Sequence, residues 1–87
     1  MNSYTQRIFM LKGMFEFTIV SAYDREKLTC EICYKKEIIA EISQEKDKLM
    51  LEIYPSQSSD WWEVPLLDFQ NALEYGKNYL KGSIEKE

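Results

Sequence analysis

Residues 28–54 read LTCEICYKKEIIAEISQEKDKLMLEIY. Apolar and polar residues trade places here with a period of two, the spacing that sends successive side chains to opposite faces of a strand. Leu28, Cys30, Ile32 and Tyr34 share one parity, Ile38, Ala40 and Ile42 form a second run, and Leu49, Leu51 and Ile53 a third. Upstream, Phe15, Phe17 and Ile19 give another run of the same kind, opening at Met14. The separators, residues 23–27, 35–37 and 44–48, are charged and too short for a parallel crossover, so neighbouring strands must run antiparallel as a meander. None of them carries the Asn-Gly or Asp-Gly pair that marks a two-residue hairpin.

After Tyr54 the period changes. Pro55 and the polar residues 56–60 make a loop, and then Leu66, Phe69, Leu73, Gly76 and Leu80 recur at three and four residues, with Ala72 and Tyr79 beside them. That is one face of an amphipathic helix over residues 65–81, with Pro65 suited to its first position and Gly82 to its end. Such a helix is roughly 25 Å long and a seven-residue strand about 24 Å, so the helix can lie along one face of the sheet. Gly76 on the apolar stripe implies a close approach of helix to strands. The expected fold is α+β: a four-stranded antiparallel meander with one C-terminal helix packed on one face. Residues 14–87 make a single domain, and residues 1–13 an N-terminal extension that is either an extra strand or disordered.

Composition narrows the function. Eighty-seven residues support one core, and 45% apolar with 30% charged residues is a globular balance. Fifteen acids against eleven bases leave a net charge of -4, which disfavours direct nucleic-acid binding and favours a partner with a basic surface. There is no histidine, which removes the commonest general base and metal ligand. The apolar run Ile8 to Leu11 is broken by Lys12, Gly13 and Glu16 before it reaches the length of a signal segment or membrane span. Two cysteines are too few for a stapled secreted domain, so the expected compartment is the cytoplasm.

Cys30 and Cys33 spell C-x-x-C, yet residues three apart in a strand diverge, so the pair reads as structural thiols rather than a redox or zinc motif. No phosphate cradle, cation loop or nucleophile elbow occurs, and the expectation is a non-enzyme without cofactor or metal. The sharper signal is a charge row. With Phe15, Phe17 and Ile19 facing the helix, Glu16, Glu31, Glu41 and Glu52 fall on the other face, one per strand. Registers that set Glu16 opposite Glu31, Glu31 opposite Glu41 and Glu41 opposite Glu52 line them up. Like charges so opposed destabilise by up to ~1 kcal/mol a pair, a cost that a cationic partner would recover. Val20, Cys33, Ile39, Met50 and Tyr54 share that parity and make the face half apolar, which suits an interface. The alternative is an ordinary solvated face. A second candidate is Asp60-Trp61-Trp62-Glu63, two tryptophans between acids that cannot both enter one core from a short loop and so read as interface anchors; the alternative is that one packs against the helix start while the other caps the sheet edge.

The run from Lys36 to Glu45, followed by Leu49 to Pro55, Trp62, Leu66 to Phe69 and Ala72-Leu73, resembles small bacterial immunity proteins of contact-dependent growth inhibition and other polymorphic toxin systems. The resemblance spans about residues 14–81. It implies a cytosolic inhibitor that binds one cognate toxin domain, frequently a nuclease, with no catalytic residues of its own. The partner-binding residues would then be Glu16, Glu31, Glu41, Glu52, Tyr54, Asp60, Trp61, Trp62 and Glu63. A small structural or homo-oligomerising subunit, whose sheet face pairs with a copy of itself as a homodimer, is the alternative.

Overall fold

Each alternating run becomes a strand and the three-to-four run becomes a helix. The computed structural model describes residues 3–11, 15–22 and 27–81. In them the chain forms β1 (Ser3–Leu11), β2 (Phe15–Ala22), β3 (Thr29–Tyr34), β4 (Glu37–Ser43), β5 (Met50–Ile53) and α1 (Leu66–Leu80). The strands make one antiparallel sheet in chain order. The expected meander is β2 to β5, and the expected C-terminal helix packs on it, an α+β fold. β1 adds a fifth strand alongside β2, with an irregularity between Thr5 and Arg7.

The core lies between α1 and one face of the sheet. Phe15, Phe17 and Ile19 of β2, Cys30 and Ile32 of β3, and Ala40 and Ile42 of β4 are buried with Ala72 and Tyr79 of the helix. The ring of Phe15 stacks 5.7 Å from Phe69, and Phe17 meets Tyr75 at 5.0 Å. α1 rests mainly on β3 and β2. Gly76 sits at the closest approach: a Cβ there would stand 3.0 Å from Cys30 Sγ and 3.1 Å from Ile42 Cδ1. The absent side chain lets the helix backbone settle onto the sheet.

Helix length matches the strands, but helix width does not match the sheet. Strands lie ~4.8 Å apart, so five spread over roughly 19 Å, whereas a helix with its side chains is about 10–12 Å across. Leu51 and Ile53, expected to be core, are therefore 43% and 60% exposed on β5. Leu66, expected on the buried stripe, is 71% exposed at the first turn. The helix begins one residue later than expected, with Pro65 as its flanking cap (φ -62°, ψ 126°). Phe69 N–H donates to the Pro65 carbonyl and Lys81 N–H to that of Lys77, each at 3.0 Å. The expected stop at Gly82 lies outside the described residues.

Two register details depart from expectation. The β2–β3 hairpin pairs Phe15 with Tyr34, Glu16 with Cys33 and Phe17 with Ile32, two residues from the expected alignment. Such a slip keeps every side chain on its face, so alternation cannot detect it. In β4 the pairing passes from Ile32–Ala40 to Cys33–Ile38 and leaves Ile39 as a bulge. Ile39, expected on the open face, joins the core at 2% exposure. The β3–β4 turn places Lys35 at φ 51° and Lys36 at φ 73°, the geometry of a type I′ turn built without glycine or asparagine. Left-handed backbone costs a side-chain-bearing residue roughly 1–2 kcal/mol. Lys35 offsets part of it, its Nζ lying 5.4 Å from the Tyr34 ring centroid, whereas Lys36 Nζ, 3.8 Å from Glu16, adds little.

Gly76→Val should lower stability by about 1–3 kcal/mol, because the new methyls have no room between Cys30 and Ile42. In urea unfolding this would appear as a lower midpoint with an unchanged slope.

Candidate functional site

Pairing of β3, β4 and β5 decides which carboxylates meet. Glu31 stands opposite Glu41, and Glu41 opposite Glu52, so three of the four expected glutamates form an unbroken row on the face away from the helix. Glu16 does not join it. Thr18 takes the place opposite Glu31, and Glu16 lies opposite Cys33, displaced by the two-residue slip. The Glu16–Lys36 pair is long and its lysine side chain is 86% exposed, so it contributes little to stability.

The row is graded in exposure. Glu52 faces solvent, Glu31 is half-buried and Glu41 is only 6% exposed. Tyr54, two residues beyond Glu52, donates its hydroxyl to Glu41 Oε1. That hydrogen bond, with burial and the charges of Glu41, Glu52 and Glu31, pushes the Tyr54 phenol up to about 12 and keeps it a neutral donor. Burial, and then the Glu41 charge, raise the Glu31 carboxyl above the ordinary value of 4.5. Among the described residues, neither Glu31 nor Glu52 has a cationic partner. The row is a line and not a cage: among those residues no three acidic or thiol groups converge as metal ligands would. The face around it is less open than its parity implied, since Val20 is 7% exposed, Thr29 2% and Ser43 5%.

The second expected cluster lies elsewhere. Trp62 donates its indole N–H to the Tyr54 carbonyl at 2.6 Å and packs against the core, whereas Trp61 is 67% exposed. Asp60 and Glu63 are exposed on either side. Glu37 pins the loop by accepting from the Gln57 N–H and from Ser58 Oγ, the latter at 3.0 Å. Together Tyr34, Glu37, Ser56, Trp61 and Trp62 border a cleft of about 240 Å³. Tyr34 packs its ring on Phe15 at 4.8 Å, so the cleft opens on the helix side. The glutamate row and the tryptophan loop thus occupy different surfaces, joined through Tyr54. Sequence reading missed Glu37 as the residue that orders this loop; the serines at 56, 58 and 59 were the available sign that an acceptor was needed.

The cysteines diverge as expected. Both are free thiols, Cys30 inside the core and Cys33 half-buried beside Glu16. Burial first and Glu31 second push the Cys30 thiol up to about 12, and the Cys33 thiol is raised by burial, Glu31 and Glu16. Both shifts suppress the thiolate, the opposite of what nucleophilic or redox chemistry requires. Among the described residues no helix is long and apolar enough to cross a membrane. No protein-family model, curated protein sequence or solved structure matches the chain.

Two outcomes follow from the row. Tyr54→Phe removes a hydrogen bond to a carboxylate at the sheet centre and should cost about 1–3 kcal/mol in denaturant unfolding. For Glu31 the native pKa is raised, so its contribution to stability is present below pH 4.5 and lost as pH rises through the shifted value. Glu31→Gln cannot ionise and escapes that loss. Unfolding measured from acid to neutral pH should show the variant gaining on the natural chain toward neutrality and the gap closing below pH 4.5.

Proposed function

We propose that this chain is a stoichiometric inhibitor of the immunity type, which binds a cognate bacterial toxin domain with a basic surface, a nuclease in the leading case. The observation that carries this reading is the contiguous Glu31–Glu41–Glu52 row, in which Glu31 and Glu52 lack cationic partners among the described residues. Holding three carboxylates in adjacent strands costs free energy in the isolated protein. Lysine and arginine side chains that grip phosphates would relieve that cost on contact, and their occupation would exclude the nucleic acid.

The residues divide the work by exposure. Glu52 and Glu31 offer the accessible charge, with Glu16 at the margin. The buried Glu41 strengthens their potential while Tyr54 holds it in place. Trp61, exposed and flanked by Asp60 and Glu63, supplies a large apolar anchor that would be desolvated on binding. Trp62 serves as the inner support of that loop. Electrostatic attraction of this kind speeds encounter and weakens with salt. The reading places the protein in the cytoplasm, where a toxin that has entered or been made must be neutralised.

The test begins with the adjacent reading frame, co-expressed and co-purified. A small cationic toxin domain held in a one-to-one complex supports the inhibitor reading, and a metabolic operon without such a gene counts against it. With that partner in hand, Glu52→Lys should slow association about tenfold and flatten its dependence on salt. Stability should hold or rise by up to about 1 kcal/mol, since the exposed lysine replaces a like-charge opposition to Glu41 with an attractive pair. An unchanged association rate would remove the row from the interface.

A further inference from the structure

β5 ends the sheet, and no described residue pairs with its outer edge. Edge strands are normally guarded by lysine, proline, a bulge or a covering segment, because their free N–H and C=O groups invite another strand. Met50–Ile53 is short and carries the charge of Glu52, but it holds no lysine, proline or bulge and is exposed throughout. On the helix side a groove of about 390 Å³ runs between β5 and α1, floored by Ile42, Leu49, Leu51 and Leu73 and rimmed by Glu74 and Lys77. An open edge beside an apolar groove is what a two-strand junction uses: main-chain bonds at the edge, apolar burial next to it.

We infer that β5 pairs antiparallel with β5 of a second copy across a two-fold axis, joining two sheets into one. The strand's own chemistry selects both the occupant and the register. Tyr54 N–H donates to the Ile39 carbonyl, and hydrogen bonding alternates along an antiparallel strand. The even-numbered residues of β5 therefore bond inward to β4, and Leu51 and Ile53 direct their backbone groups to the free edge. A two-fold axis demands residues of equal parity across the junction, which leaves two central choices. Centring on Glu52 would set it against its own copy and fuse two glutamate rows, which like-charge repulsion opposes.

Centring on Leu51 sets Leu51 against Leu51 of the second copy, Leu49 against Ile53, and Met50 against Glu52. The outward-facing backbone groups then meet each other. Leu49, Leu51 and Ile53 of both copies form a continuous apolar floor between the two helices, covering surface that the single chain leaves 43% and 60% exposed at Leu51 and Ile53. On the other face the same register carries the exposed Lys48 of each copy opposite Tyr54 and diagonal to Glu52 of the other. A cation then approaches each acidic row, and although the two Glu52 side chains become diagonal neighbours they are no longer directly opposed, so this register is the less repulsive of the two and the richer in apolar contact. The junction's main-chain bonds and apolar burial lie on the edge and the helix side, and it meets the acidic face only where Lys48 nears Glu52; the oligomeric state of the chain alone tests the junction and association with the toxin tests the other surface, so either can fail without the other.

The test is the oligomeric state of the full chain by sedimentation over a range of concentrations, together with cysteine cross-linking in a Cys33→Ser background. Hydrogen-bonded partners lie with their Cα atoms about 5.5 Å apart, within disulfide range. Leu51→Cys should give a covalent dimer under mild oxidation, and Glu52→Cys should not. Leu51→Lys should raise the dimer dissociation constant roughly a hundredfold, since symmetry applies the change twice, while near-ultraviolet circular dichroism shows the fold retained. A natural chain that stays monomeric at every concentration, a Leu51→Lys variant that associates as before, or cross-linking at Glu52→Cys in place of Leu51→Cys would each overturn the proposal.

Discussion

One helix is narrower than the sheet it covers, and the rest of the structure follows from that mismatch. α1 can shield about half of a five-stranded sheet, so it settles where burial is greatest, over Phe17, Cys30 and Ile42, with Gly76 as the point of contact. Fully burying a large apolar side chain is worth about 1.5–3 kcal/mol, and the aromatic and branched residues of β2 and β3 claim that gain first. β5 receives the remainder. Its apolar residues keep strand form by pairing with β4, yet stay largely in water.

The face away from the helix is organised by charge. Pairing across β3, β4 and β5 forces three carboxylates into line, and local contacts temper the result at two of them. Tyr54 donates to the central Glu41, and burial raises the proton affinity of Glu31. Tyr54 has a second task, because its carbonyl receives the Trp62 indole and so ties the tryptophan loop to the end of β5. A change at this one residue would touch both the acidic row and the loop. The two surfaces are chemically distinct, and their common support is backbone geometry at the end of one short strand.

Such an arrangement suits a protein that works by contact. It offers exposed acid and an open strand edge on the sheet, and an exposed tryptophan on a loop fastened by hydrogen bonds to Glu37 and Tyr54. Rigid presentation matters because ordering side chains on binding subtracts from affinity. Both thiols, by contrast, are held protonated within the sheet and serve packing.

Much of this was legible in the residues themselves. Alternation named the four strands from β2 to β5, short charged separators made them antiparallel, and the change of period after Tyr54 announced the helix, because side-chain direction repeats every two residues in one case and every 3.6 in the other. The same parity put Glu31, Glu41 and Glu52 on one face, and the expected registers of the last two hairpins are the ones that form. What parity cannot see is translation: a slip of two residues moves Glu16 away from Glu31 without turning any side chain over. Nor could it foresee the bulge at Ile39, which depends on how β4 bends against β3. The burial of Glu41 and the exposure of Leu51, Ile53 and Leu66 were likewise settled in three dimensions. Sequence supplies each residue's preferred face, but whether that face meets protein or water depends on how far the neighbouring layer reaches, and here the layer is a single helix.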